Sequence, residues 1–594
     1  MSRDPNNNVA INDLQLNGAV QDFAIVGGGC AGLYCAWRLA TTGRKRTLLF
    51  EKENRVGGRL LSIDLLPEGG RKAELGGMRF TEDHKILMKL LEELKKPFPG
   101  TNPLEARGFN FETKLMFLRG KHLRSASHWR EPLPYDVRTL DNNGEACLEN
   151  NPDLSVAATR IAKAALKTAI GLARVEIDPD SSADCQEETR LAADALGKLR
   201  VRLAKDCLSP KEWRAVQRCA KIEGIHLYEL GFWNLLQHCL RDTPDEFLFL
   251  HDAIGYESLV SNSNAATAIP VFLGDFVDKK YWTLKGGMDA IPRMLAFHCR
   301  RADIAAIADH HEVEMVTLVR EGDDHFFELT VRCTPSLLNP GICYPSTFRA
   351  KNLILALPKQ ALEKLKLSGF ESLEEAVFRE RLEHVTAHRA FKLFLRYPRP
   401  WWSNELGLKA RAITDLPIRQ VYYLGEDDRA NDEALVMASY SDEHYVDFWT
   451  PLVEDPQRAR EAINLKELAM SQKVDITAYA ASRRIINKAA AQLALMHKGS
   501  GTAIPDSTFG VVKQWNDAWH FWNVHEQPWE TAEYLVQPFK SVRMFVCGEA
   551  YSLEQGWAEG ALKSAERVLQ VLGLGLPSWV DEPKSGEFMD YISH

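Results

Sequence analysis

The chain has 594 residues, of which 45% are hydrophobic and 26% charged, and its formal net charge is -8. That length calls for two or three domains around more than one core, and the ordinary composition excludes a membrane-embedded chain and wholesale disorder. The acidic balance, with no dense Lys/Arg run, sets nucleic acid and anionic membrane surfaces aside as partners.

Residues 1–20 are polar and Asn-rich, without the basic and apolar regions of a secretory signal, and read as a flexible tail. Eleven cysteines are scattered without CxxC pairs, which suits free thiols in a reducing compartment, so a cytoplasmic location is expected. The seventeen histidines show neither HExxH nor paired Cys/His spacing. No metal is expected, and His310-His311 reads as a solvated turn.

Residues 22–51 run through a short apolar strand, a glycine-rich turn, an apolar helix and a second strand ending in an acid. Gly27 allows the tight turn, Gly29 lets the backbone approach a pyrophosphate, and Gly32 permits close packing of helix on strand. Glu51 follows Gly32 by about twenty residues, the spacing of an acid that hydrogen-bonds the adenosine ribose, which disfavours NADP.

After Glu51 come Arg55, Gly57-Gly58-Arg59 and then Glu74-Leu75-Gly76-Gly77-Met78-Arg79-Phe80. The RVGGR run followed by GGMRF resembles the flavin amine oxidase family, and in particular its L-amino-acid oxidases. The resemblance implies an α/β fold: a Rossmann-like FAD-binding domain of the glutathione-reductase type assembled from discontinuous segments, a mixed-sheet (α+β) substrate domain and a helical domain. It places Arg59 near the FAD phosphates, Gly77 and Met78 against the cofactor, and Arg79 on the carboxylate of an amino-acid substrate. A planar guanidinium pairs bidentately with a carboxylate, which is why an arginine suits that task.

The expected boundaries are 21–80, 282–360 and 540–575 for the FAD-binding domain, 81–150, 241–281 and 361–539 for the substrate domain, and 151–240 for the helical domain. Residues 576–594 read as a C-terminal tail. Within 151–240, Ser209-Pro210-Lys211-Glu212 is a capping box with proline at the first helical position. The stretch from Trp282 through Gly286-Gly287-Met288-Asp289 to Pro292 resembles the family's loop before an FAD-domain helix, and Leu353 to Pro358 its buried strand. Val313 matches the backbone contact to adenine.

Lys392 stands in an apolar strand, where a lysine is costly unless it has a purpose or snorkels to the surface. The resemblance makes it the lysine that reaches flavin N5 through a water. Tyr422 and Tyr423 alternate across a strand, so one faces the pocket and the other packs. Gly425-Glu426-Asp427-Asp428 reads as a solvated acidic loop or as an attractor for a basic side chain. Tyr440 matches the tyrosine whose hydroxyl contacts the substrate carboxylate. Trp515 matches an aromatic residue near the flavin, while Trp519, Trp522 and Trp529 read as core or pocket wall.

Residues 542–570 read as strand, Gly-Glu turn, loop and helix, and resemble the family's second signature. Glu549 then matches the acid on the ribityl chain, and Gly556-Trp557 lies beside the isoalloxazine. The resemblance implies non-covalent FAD, hydride transfer from Cα of an L-amino acid with O2 as acceptor, release of a 2-oxo acid, ammonia and hydrogen peroxide, and a homodimer or larger homo-oligomer. The competing readings are an amino-acid 2-monooxygenase, an amine oxidase and a non-catalytic flavin-binding protein.

Overall fold

The computed structural model describes residues 20–593 except 44, 67–70, 96–102, 125–134, 136–153, 177, 259–260, 262, 277–278, 302–304, 323, 334–345, 405, 409, 425–432, 456–475, 499, 501–502 and 581–583. The acidic loop 425–428 and all but the last residue of the expected N-terminal tail lie outside the described residues.

Strand Gln21–Val26 is the centre of an eight-stranded sheet. It runs parallel to Thr47–Phe50 on one side and to the second half of Ser346–Leu355 on the other. Ala305–Ala308 extends the parallel edge beyond Thr47–Phe50. Met544–Val546, from the far end of the chain, adds in parallel to residues 353–355. The first half of Ser346–Leu355 pairs instead with the antiparallel hairpin of His311–Glu321 and Asp324–Cys333.

The two faces of this sheet follow from the two-residue side-chain period of a strand. Phe23 and Ile25 join Leu49, Ile354 and Phe545 under the helices Cys30–Arg38, Lys85–Lys95, Ala290–Arg301 and Ala558–Val571. Ala24 and Val26 join Leu48, Phe50, Leu353 and Leu355 in a separate core on the opposite face. The architecture is therefore α/β, with a Rossmann-like layer drawn from both ends of the sequence.

A second, seven-stranded sheet runs in the order Phe509–Trp522, Val385–Tyr397, Ala434–Asp442, Gln420–Tyr423, Arg411–Thr414, Thr113–Leu118, Lys121–Arg124. A small sheet of Phe80–Thr81, Tyr281–Leu284 and Ala106–Phe109 carries residues from one layer toward the other. The helices Leu154–Leu172, Ala183–Val201 and Pro210–Cys219 pack with Phe232–Cys239, Pro244–Ile254 and Ala265–Asp275 around one apolar core. Ser209 and Glu212 form a reciprocal capping box with Pro210 at the helix start. Among the described residues no helix is long and apolar enough to cross a membrane.

Three segments pack differently from the sequence expectation. Pro244–Ile254 and Ala265–Asp275 bury their apolar residues in the helical core, which Met116, Leu118 and Ile413 of the seven-stranded sheet also enter. Lys85–Lys95 lies against the Rossmann-like layer, because its Ile86, Leu87, Leu90, Leu91 and Leu94 make one apolar stripe that is buried there. Residues 576–594 include a docked helix, Ser585–Ile592, whose Tyr591 hydroxyl donates to Glu559 at 2.6 Å. That segment is not a free tail.

Candidate active site

The glycine turn is built by close approach. A Cβ on Gly27, whose φ is 108°, would sit 2.4 Å from the Ala356 carbonyl oxygen, and one on Gly32 would sit 2.0 Å from the Gly27 carbonyl oxygen. At Gly29 the opposite holds: a Cβ would meet nothing within 4 Å. Gly29 heads helix Cys30–Arg38, which has no side-chain cap and no acid in its first turn. Free amide donors at the positive end of a helix, facing open space, suit a pyrophosphate.

Glu51 ends the second strand and is buried, which raises its carboxyl above the ordinary value while backbone amides pull it back. It accepts the Gly28 amide at 2.8 Å and the Glu53 amide at 2.9 Å. The turn before strand His311–Glu321 is tied to the same place, His311 N–H donating to the Glu51 carbonyl at 2.8 Å. Val313, two residues further on, is buried and paired with Val331.

Glu549 joins the two ends of the chain. Its Oε2 accepts Arg59 Nη1 at 2.6 Å and His520 Nδ1 at 2.8 Å. Its Oε1 accepts the amides of His520 at 3.0 Å and Gly556 at 2.7 Å. Burial alone would raise this carboxyl, but Arg59, His520 and the amides hold it well below the usual carboxylate range. Gly556 has φ 83° and faces open space, since a Cβ there would meet nothing within 4 Å.

Arg59 also anchors the segment that carries Arg79, because the Gly77 amide donates to the Arg59 carbonyl at 2.9 Å. Met78 packs in the core beneath, and Arg79 emerges into an aromatic chamber where it is 8% exposed. Its guanidinium carbon lies 4.1 Å from the Phe111 ring centroid, 4.7 Å from Tyr281, 5.9 Å from Phe109 and 6.0 Å from Tyr256 and from Trp557. Nη2 donates to the Tyr256 hydroxyl at 3.2 Å, while Nε and Nη1 have no partner. Among the described residues no carboxylate stands within salt-bridge distance of it.

A buried cation without an anion is unfavourable by several kcal/mol. Tyr440 is half-buried, with its ring 5.4 Å from Tyr256, and burial pushes its phenol well above the ordinary value. It is therefore a neutral donor. Tyr422 faces the chamber, 5.8 Å from Phe109, and donates to Gln420 Oε1 at 3.0 Å. Tyr423 turns the other way, its hydroxyl hydrogen-bonded with His497 Nε2 at 2.6 Å, as the alternation along the strand requires.

Lys392 is 4% exposed and sits opposite Tyr440 in the sheet. It does not snorkel. Its Nζ donates to the carbonyls of Gly76 at 2.6 Å and Glu74 at 3.2 Å, and lies 4.5 Å from the Tyr440 ring. Burial pushes its ammonium down to about 7. Trp515 donates its indole N–H to the Leu75 carbonyl at 2.7 Å. Lys392 and Trp515 thus pin residues 74–76, the run leading into Gly77-Met78-Arg79.

Trp557 precedes helix Ala558–Val571 and donates its indole N–H to Asp275 Oδ2 at 2.5 Å. The reading from sequence passed over Phe109, Phe111, Tyr256, Tyr281, Asp275 and His520. Phe109 and Phe111 carried a legible signal, two aromatics at strand spacing. Tyr256, Asp275 and His520 carried none, since they come from a helix end, another helix end and a strand that itself carries extra residues where its pairing shifts opposite His388 and Ala390.

The donors and glycines present suit a flavin dinucleotide: an open, uncapped helix start for phosphate, an acid at the end of the second strand, and a turn at Gly556 open to a planar ring. The chain is similar over its length to known proteins. Aplysianin-A of Aplysia kurodai is 25% identical over 570 residues, covering 92% of this chain and 89% of its own. A putative L-amino-acid oxidase of Bacillus subtilis (strain 168) is 20% identical over 566 residues, covering 94% and 95%. A solved putrescine oxidase variant superposes with a TM-score of 0.53 at 16% identity, covering 93% of this chain and 99% of its own, which is a likeness of fold. The model of the flavin-containing amine oxidoreductases matches residues 30–571, and the chain belongs to that family.

Proposed function

We propose that the protein is an FAD-dependent L-amino-acid oxidase that converts an L-amino acid and O2 to the 2-oxo acid, ammonia and hydrogen peroxide. The observation that carries this reading is the buried Arg79 guanidinium with Nε and Nη1 unpaired. An amine substrate would bring no anion to it, whereas the α-carboxylate of an amino acid supplies two acceptor oxygens. The name of the Bacillus relative points the same way.

FAD, when bound, supplies the hydride acceptor for the substrate Cα–H and passes the electrons on to O2. The chain's own residues bind and aim. Arg79 and the hydroxyls of Tyr256 and Tyr440 hold the carboxylate, and the rings of Phe111, Tyr281 and Trp557 exclude water and fix the substrate's orientation. Lys392, poised near neutrality, holds or releases a proton at Nζ on the same side as Tyr440. Glu549, Arg59 and Gly556 lock the cofactor-facing turn. Cys30 heads the dinucleotide helix, and burial with the nearby Glu559 pushes its thiol up to about 12, so it stays protonated.

The test is a peroxide-coupled assay of the flavin-loaded protein against the twenty L-amino acids and their decarboxylated amines, with product analysis. Peroxide with a 2-oxo acid from amino acids alone is expected. Turnover of amines alone would overturn the Arg79 reading, and an amide with carbon dioxide would replace oxidase by monooxygenase.

A further inference from the structure

Asp275 is the last residue of helix Ala265–Asp275 and is 3% exposed. Both of its acceptor groups are used on walls of the Arg79 chamber. Its carboxylate Oδ2 accepts the Trp557 indole N–H at 2.5 Å, and its backbone carbonyl accepts the Tyr281 hydroxyl. His84 meets Trp557 edge to face, with ring centroids 4.9 Å apart.

These two rings matter because of what Arg79 lacks. Among the described residues its one hydrogen bond goes to an uncharged type of acceptor, the Tyr256 hydroxyl, rather than to a carboxylate. With no ion partner to fix its plane, the guanidinium is held by the ring faces around it, and Tyr281 and Trp557 are two of them. A tryptophan N–H buried without an acceptor loses its preferred orientation. Burial pushes the Asp275 carboxyl up to about 6, and Lys205, itself 3.5 Å from Glu554, draws it back. A buried acid of that kind is costly, and what it secures here is the Trp557 ring.

We propose that Asp275 is a positioning residue for substrate binding: by fixing the Trp557 indole and the Tyr281 hydroxyl it sets the plane in which Arg79 presents its free donors. This rests on the reading of Arg79 as the group that holds the carboxylate.

The test uses the flavin-loaded protein and the best L-amino acid from the substrate panel. Asp275→Leu removes the acceptor of the indole but leaves the backbone carbonyl that holds Tyr281, whereas Asp275→Asn keeps an acceptor oxygen. Asp275→Leu is expected to raise KM by about 10- to 100-fold, the worth of a buried bond to a charged acceptor. The limiting rate of anaerobic flavin reduction should change by less than about threefold, since positioning acts before the chemical step. Asp275→Asn should bring KM back to within about threefold of the parent.

Trp557→Phe, which keeps a smaller aromatic ring and deletes the N–H, should raise KM in the same direction and serves if Asp275→Leu does not fold. An unchanged KM in Asp275→Leu, or in Trp557→Phe, overturns the proposal, as does a failure of Asp275→Asn to restore it. Arg79→Met is measured alongside. If it raises KM and Asp275→Leu does not, only the positioning role falls; if it leaves KM unchanged, the carboxylate reading falls and the positioning role with it.

Discussion

The two halves of the site satisfy their charges in opposite ways. At the dinucleotide end Glu51 accepts two backbone amides, and Glu549 accepts Arg59, His520 twice over and Gly556. In the aromatic chamber, about twenty residues along the chain from Arg59, the Arg79 guanidinium is left with two of its donor atoms unpartnered. A self-satisfied polar network stands ready-made and rigid, while an unsatisfied one is stable only when a ligand completes it. The cofactor end is thus preorganised by the protein, and on the function proposed above the other end is completed by the substrate's anion.

That contrast can be broken at several points. The largest effect is expected from Gly32→Val, whose side chain would collide with the Gly27 carbonyl, 2.0 Å from the Cβ position. The variant should purify without flavin, and full yellow colour in it would mean that the turn is not the phosphate cradle.

Glu549→Gln comes next. It leaves Arg59 and His520 facing a neutral amide, at a cost of about 3 kcal/mol by denaturant unfolding. Because the folded carboxyl lies below its ordinary 4.5, its contribution is complete at neutral pH and is lost only as the pH falls well below that value. The parent should therefore lose stability on the acid limb more steeply than the variant. Parallel curves would show that the four donors do not act through the charge.

Lys392→Met probes the seam between the two halves. The lysine is pushed down to about 7, so an inflection near neutrality in the pH profile of anaerobic flavin reduction should vanish in the variant. If the inflection survives, it belongs to another group. The smallest effect is expected from Ser209→Ala in the helical layer, which deletes a capping box for about 1 kcal/mol. Thermal unfolding should register that loss while KM stays put; a shifted KM would tie the helical layer to the chamber more closely than the geometry does.

The same contrast explains what could be read from the sequence. Gly27, Gly32, Glu51 and the α/β character of the first layer are fixed by local sterics and strand alternation, and these are legible in a few consecutive residues. Arg79 and Trp557 were legible through motif resemblance, and the structure brings them to within 6.0 Å, guanidinium carbon to ring. Phe109 and Phe111 could have been read from their strand spacing, but other parts of the site could not. Tyr256 and Asp275 come from ends of helices whose pattern is that of plain core, and His520 lies just past a register shift in its strand that breaks the simple alternation. The docked helix Ser585–Ile592 escaped notice because it is short and buries little beyond Ile592 and the Tyr591 bond.

The central claim is that Arg79 waits for a carboxylate, and the most direct measurement is anaerobic flavin reduction by one L-amino acid and by its decarboxylated amine, in the parent and in Arg79→Met. The parent should reduce only with the amino acid, and Arg79→Met should keep its flavin but bind the amino acid more weakly by about 2–5 kcal/mol. Equal reduction by amine and amino acid in the parent, or unchanged amino-acid kinetics in Arg79→Met, would contradict the account.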